Sequence, residues 1–138
     1  MSAPISDPNL RILEKNATQI ASKAYAPYSK FRVGASILCK SGRIYSGCNV
    51  ENASYGLCNC AERTAIFSAI AAGETGIDAV VVYTPTQAAT SPCGACRQVI
   101  NEFGPDALVI SICDSTDRIE THLSELLPRA FGPKDLGH

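Results

Sequence analysis

The residue types best suited to chemistry stand in two short stretches, Cys60-Ala61-Glu62 and Pro92-Cys93-Gly94-Ala95-Cys96. A Cys-x-x-Cys pair behind a proline offers two thiolate ligands, and Cys60 can supply a third. Three protein ligands leave one position of a tetrahedral zinc open, the arrangement of a catalytic rather than a structural site. Glu62, two residues after Cys60, would lie beside such a metal without binding it, and a carboxylate there can move the proton of a water. Cys60, Cys93 and Cys96 are therefore the candidate ligands of one zinc per chain, and Glu62 is the candidate acid/base.

Both stretches open predicted helices. Cys60 to Ala72 carries Ala65, Ile66, Ala69 and Ile70 as its apolar positions, with Gly73 as its stop. Cys93 to Phe103 forms a second helix, stopped by Gly104-Pro105. Helix starts present unpaired N–H groups and the positive end of the dipole, which lower thiol pKa values and favour metal binding.

The other elements follow from periodicity. Asp7 can cap a first helix with Pro8 at its first position, and Leu10, Leu13, Ala17, Ile20 and Ala24 keep helical spacing to an end near Ala26-Pro27. Phe31 to Cys39 alternates, with Phe31, Val33, Ala35, Ile37 and Cys39 on one face of a strand. Lys40 to Arg43 is a turn and Ile44 to Cys48 the returning strand. Ala79 to Tyr83 and Leu108 to Ile112 are continuous apolar runs suited to strands covered on both faces. With a helix between them they predict a parallel pair with a right-handed crossover. Ile119 to His122 is a short edge strand, and Leu123 to Leu127 a short helix before Pro128. Asn49 to Asn59 is a long polar loop, which calls for a function or for ordering by a partner.

Composition narrows the classes. At 138 residues the chain reads as one domain, residues 1–138, large enough for a core. Apolar residues make up 46%, charged residues 18%, and the net charge is −1, which fits a soluble globular enzyme. Without a basic excess there is no footprint for a phosphate backbone, so no nucleic-acid partner is expected. No apolar run approaches the ~20 residues of a membrane span. The stretch MSAPISDPNL lacks the basic and apolar regions of a signal peptide. Seven cysteines without such a peptide point to a reduced, cytoplasmic protein that uses some of them for metal.

Cys39, Cys48 and Cys113 fall in strands and read as small buried apolar residues. Cys58 stands close to the metal segment, but only Cys60 places a glutamate at +2 in the first helical turn. Asn49 and Glu51, two apart on extended chain, point the same way, and an amide beside a carboxylate suits a hydroxyl that donates and accepts. His122 reads as strand-end packing and His138 as a disordered tail; neither matches a metal motif. Arg63 is either a surface arginine or a charge-compensating group. Zinc with three thiolates carries roughly −1, which weakens it as a Lewis acid, and helix dipoles offset about +0.5 each at most. Arg63 lies three residues after Cys60, on the same helical face, and its fork can donate to two sulfurs.

Five stretches, FRVGA (31–35), NVENAS (49–54), CAERTA (60–65), SPCGACRQ (91–98) and ELLP..FGP (125–133), resemble the small, homotetrameric, three-cysteine cytidine deaminases. The Cys-Ala-Glu and Pro-Cys-x-x-Cys pair is the signature of zinc nucleobase deaminases. The resemblance implies an α/β chain with a three-layer α/β/α fold and a mixed sheet of about five strands. It implies hydrolysis of cytidine and 2′-deoxycytidine to uridine and 2′-deoxyuridine with release of ammonia, in pyrimidine salvage. It assigns Phe31 to the nucleoside pocket, Asn49 and Glu51 to the ribose 3′-OH, the Ala61 N–H to the base and the Ser91 carbonyl, fixed by Pro92, to the amino group. It makes Tyr55 and Phe131 visitors to a neighbouring subunit's site, in a homotetramer with shared sites, and it favours the charge-compensating reading of Arg63. Three rivals stand beside it. A blasticidin-type deaminase is disfavoured by FRVGA, Asn52 and the Phe131-Gly132-Pro133 ending. A polynucleotide base editor would bring His-Ala-Glu and a basic face. A non-enzymatic zinc module would need a fourth protein ligand, for which Cys58 is the only nearby residue.

Overall fold

A computed structural model describes residues 5–138. The start of the stretch read for a signal peptide, residues 1–4, lies outside them. Five strands form one mixed sheet in the order β2-β1-β3-β4-β5. They are β1 (Gly34–Cys39), β2 (Ile44–Cys48), β3 (Ile77–Tyr83), β4 (Leu108–Ile112) and β5 (Arg118–His122). β3 and β4 run parallel, as their apolar runs and intervening helix require, and the remaining neighbours are antiparallel. The helices are α1 (Asp7–Ile20), α2 (Ala61–Ala71), α3 (Gly94–Phe103) and α4 (Leu123–Leu126).

Strand alternation divides the core into two layers. Ala35, Ile37, Cys39, Val80 and Val82 face Ala61, Ala65, Ile66 and Ala69 of the α2 region and Ile100 of α3. Leu38, Ala79, Val81 and Ile110 face Leu13 and Ala17 of α1 on the other side. The result is the three-layer α/β/α arrangement. None of the helices among the described residues is long and apolar enough to cross a membrane.

Several boundaries differ from the sequence reading. Ser6, not Asp7, caps α1: its hydroxyl accepts from the Asn9 N–H at 3.3 Å. α1 also stops early, tightening into a 3-10 turn at Ala21–Lys23, because Ala24 turns extended and Tyr25 bridges to Val50. β1 begins at Gly34, so Phe31 is outside the strand and 41% exposed. Cys113 lies just past β4, where its thiol donates to the Asp117 carbonyl at 3.4 Å. His122 is exposed, with Nδ1 3.9 Å from Glu125, instead of packed. His138 is tied back, its N–H donating to the Pro133 carbonyl at 3.0 Å.

One contact sets how closely α2 lies against β2. Gly47 of β2 lies so close to α2 that a Cβ there would sit 2.4 Å from the Ala65 nitrogen and 2.9 Å from its Cα. Both obstacles are backbone, so only movement of the whole helix relieves the clash. Gly47→Ala is expected to destabilise the protein by about 1–3 kcal/mol, the usual penalty of overpacking. Thermal unfolding checks this: an unchanged melting temperature would mean that the helix is free to shift.

Candidate metal centre and active site

Cys60 is the N-cap of α2 and Cys93 the N-cap of α3, and Cys96 lies in the first turn of α3. Each cap carbonyl accepts the first intrahelical bond, from Thr64 N at 3.1 Å and from Arg97 N at 3.0 Å. Both helices thus begin at the ligands, as their motifs predict. The two starts meet, and the three sulfurs lie within 4.8 Å of one another. Cys60 Sγ is 3.8 Å from Cys93 Sγ. Sulfurs held about 2.3 Å from a tetrahedral zinc stand roughly 3.8 Å apart, so this donor set fits zinc in spacing and in softness.

Protons are crowded together there without metal. The Cys60 thiol is pulled down to about 5, chiefly by a hydrogen bond from Cys96, with Arg63 and Cys93 adding to it. Cys96 is pushed up by the same pairing and by burial. Arg63 Nη2 donates to Cys60 Sγ at 3.3 Å, and its Nε is buried without a hydrogen-bond partner among the described residues. The guanidinium is held above its ordinary pKa, first by the Cys60 bond.

Glu62 is 5% exposed in the first turn of α2, and burial pushes its carboxyl above the usual range. It shares a cavity of about 260 Å³ with Cys60, Ala61 and Cys93. Phe31, Val33, Asn49, Glu51, Asn59, Val82, Thr84, Thr90 and Ser91 complete the wall, with Cys58 at the edge of the 49–59 loop. The cavity lies beyond the carboxyl end of β3, where ligands of α/β sheets collect.

The polar groups of that wall are fixed by backbone. Asn49 Oδ1 accepts from Val33 N and its Nδ2 donates to the Phe31 carbonyl, both at 2.8 Å. Glu51 accepts from the N–H groups of Tyr28 at 3.0 Å and Ser29 at 3.2 Å and from the Ser29 hydroxyl, which holds its carboxyl below the usual range. Cys58 is engaged in the loop, accepting from Asn52 N at 3.3 Å, and stays outside the three-sulfur cluster. Tyr55 and Phe131, 75% and 59% exposed, do not line the cavity of their own chain.

The match to known proteins is broad. Residues 9–112 fit the family model described as the cytidine and deoxycytidylate deaminase zinc-binding region. The chain belongs to that family. The cytidine deaminase of Sporosarcina psychrophila is 47% identical over 117 residues, 84% of this chain and 86% of that protein. That of Halalkalibacterium halodurans is 46% identical over 127 residues, 91% and 96% of the two. The crystal structure of the cytidine deaminase from Burkholderia pseudomallei superposes with a TM-score of 0.85 at 47% identity, covering 92% of this chain and all of that one. The cytidine deaminase from Mycobacterium tuberculosis superposes at 0.78 with 40% identity, covering 94% of this chain and 100% of its own.

Sequence reasoning within this deaminase motif passed over Arg97. Its Nε donates to the Pro92 carbonyl at 2.7 Å and its Nη1 to the Leu126 carbonyl at 3.0 Å, tying the turn that carries Cys93 to α4. The arginine after Cys-x-x-Cys was visible, but its acceptors are main-chain atoms that no residue pattern marks. Thr84 and Thr90 were equally invisible, being ordinary loop residues by type.

Arg63 is expected to hold the zinc site by charge. Metal analysis should return one zinc per chain, and Arg63→Gln should lower zinc retention or turnover. Adding Cys60→His, which removes one negative charge, should restore part of the loss. A double variant that is folded, zinc-loaded and no better than Arg63→Gln alone would show that charge balance is not the role of Arg63.

Proposed function

We propose that this chain hydrolyses cytidine and 2′-deoxycytidine to the corresponding uridines and ammonia, as a cytoplasmic enzyme of pyrimidine salvage. The observation that carries the proposal is a buried carboxylate, Glu62, set in one cavity with three converging thiols. Zinc bound by Cys60, Cys93 and Cys96 would supply Lewis acidity and bring the pKa of its water toward ~7. Glu62 takes one proton of the attacking water and delivers it to N3 of the ring, then carries the proton left on the new C4 hydroxyl to the leaving amine. The bond from C4 to nitrogen breaks, the water oxygen stays on C4, and nitrogen departs as ammonia. The Ala61 N–H, at the start of α2, holds the base. The Ser91 carbonyl accepts from the amino group until it leaves. Phe31 covers the base, and Asn49 and Glu51 receive the sugar hydroxyl.

A nucleoside rather than a nucleotide is the substrate. Among the described residues neither lysine nor arginine lines the cavity, while Glu51 and Glu62 do, so a 5′-phosphate finds no countercharge from them. The absorbance change on deamination tests both points. Cytidine should be turned over, and deoxycytidylate should be a poor substrate. Glu62→Gln should reduce turnover at least ~10²-fold, the usual worth of a general acid/base, with zinc retained. Near-normal turnover in the zinc-loaded variant would remove Glu62 from that role.

The active unit we propose is a homotetramer with shared sites. Tyr25, Tyr28, Tyr55 and Leu57 are exposed, with the rings of Tyr28 and Tyr55 6.1 Å apart, and Phe131 does not line the cavity that holds Glu62 in its own chain. Sedimentation should give four chains per particle, and Phe131→Ala should raise KM for cytidine without loss of zinc. A fully active monomer at assay concentration would end this reading.

A further inference from the structure

The stretch from Thr84 to Cys93 joins β3 to α3 without regular structure, yet it supplies Thr84, Thr90, Ser91 and Cys93 to the cavity. Irregular backbone holds a fixed shape only when its polar groups are bound elsewhere. Within the stretch, Thr86 Oγ1 donates to the Ala88 carbonyl at 2.7 Å. That uses the one hydroxyl proton of Thr86, so in the 2.8 Å contact between the two threonine hydroxyls Thr84 must be the donor.

Further bonds go to the turn between β4 and β5, residues 113–117, none of which lines the cavity. Asp114 N donates to the Thr86 carbonyl at 2.8 Å. The Ser115 hydroxyl donates to the Gln87 carbonyl at 2.6 Å and accepts from Asp117 N at 3.0 Å. The Asp117 carboxylate accepts from Ala89 N at 2.8 Å, two residues before Ser91. The Cys113 thiol secures Asp117 from behind, donating to its carbonyl at 3.4 Å. One main-chain and two side-chain bonds from the turn thus hold the stretch at Thr86, Gln87 and Ala89.

We propose that Asp117, with Ser115, is a positioning residue for substrate: the turn acts as a brace that holds Thr90 and Ser91 at the wall of the cavity. The inference rests on the proposed deamination of cytidine for its kinetic readout, and on the hydrogen bonds alone for its structural one. Cys93 and Cys96 are anchored separately, by α3 and by Arg97, so loosening the brace leaves the metal in place and slackens the wall. Asp117→Ala removes a charge-assisted acceptor, and bonds of that kind carry enough to change an equilibrium about tenfold.

Steady-state kinetics and amide hydrogen exchange of the zinc-loaded full chain test the brace together. In Asp117→Ala, KM for cytidine should rise about tenfold with kcat within about twofold and one zinc per chain. Exchange should quicken over residues 86–91 and stay unchanged across α3. Asp117→Asn, which keeps a side-chain oxygen for Ala89 N, should recover most of the affinity. A merely destabilised enzyme gives the opposite split, less active protein at unchanged KM. Unchanged KM, loss confined to kcat, or exchange that quickens evenly over the chain each overturns the proposal. Should Asp117→Ala fail to fold, Ser115→Ala is read by the same criteria. A wild-type chain inactive on cytidine would overturn the proposed function, and exchange at 86–91 would still decide the brace.

Discussion

Like charges crowded at one point are the constraint around which this chain is built. Cys60 and Cys93 stand 33 residues apart in sequence, yet their sulfurs come within contact distance of each other and of Cys96. Left to themselves the three thiols share their protons, one tending to thiolate as its buried neighbour is driven the other way. Only a cation in their midst allows all three to ionise. The fold moderates the repulsion with two helix starts and a guanidinium that donates to a ligand sulfur. The position of α2, in turn, depends on backbone touching backbone at Gly47 and Ala65.

Helix starts carry the three candidate metal ligands, and irregular segments supply most of the cavity wall beside them. The cavity walls outside α2 and β3 come from the segments around residues 31–33, 49–59 and 84–93. Two of them are held by side chains that reach across to main-chain atoms: Asn49 and Glu51 for the first, the turn after β4 and Arg97 for the last.

Where local forces decide, the sequence could be read directly. The starts of α2 and α3, the hairpin of β1 and β2, the parallel pair β3 and β4 and the three-sulfur cluster follow from periodicity, stop signals and ligand spacing. Two of the exceptions, the start of β1 and the end of α1, share one cause. Phe31 continues the alternation of β1, but Asn49 has captured the Phe31 carbonyl and the Val33 N–H, so that stretch cannot join the ladder. Ala24 continues the spacing of α1, but Tyr25 is bound to the loop carrying Asn49 and Glu51 through its own N–H and carbonyl. Lys30, in the left-handed region at φ 63°, completes that departure. Long-range bonds to main chain outweighed local preference at each place, and such bonds leave no periodic trace.

The side chains of Asn49 and Glu51 have a further consequence. Their rotamers are fixed by Phe31, Val33, Tyr28 and Ser29 before any ligand arrives. The conformational entropy of ordering that wall is therefore settled when the chain folds, not when a small molecule enters. Association then needs no loop closure at this wall, and its speed is governed by diffusion and orientation. In the function proposed above, recognition and folding stability become one quantity there: whatever softens residues 26–33 would weaken binding at a distance, through disorder alone.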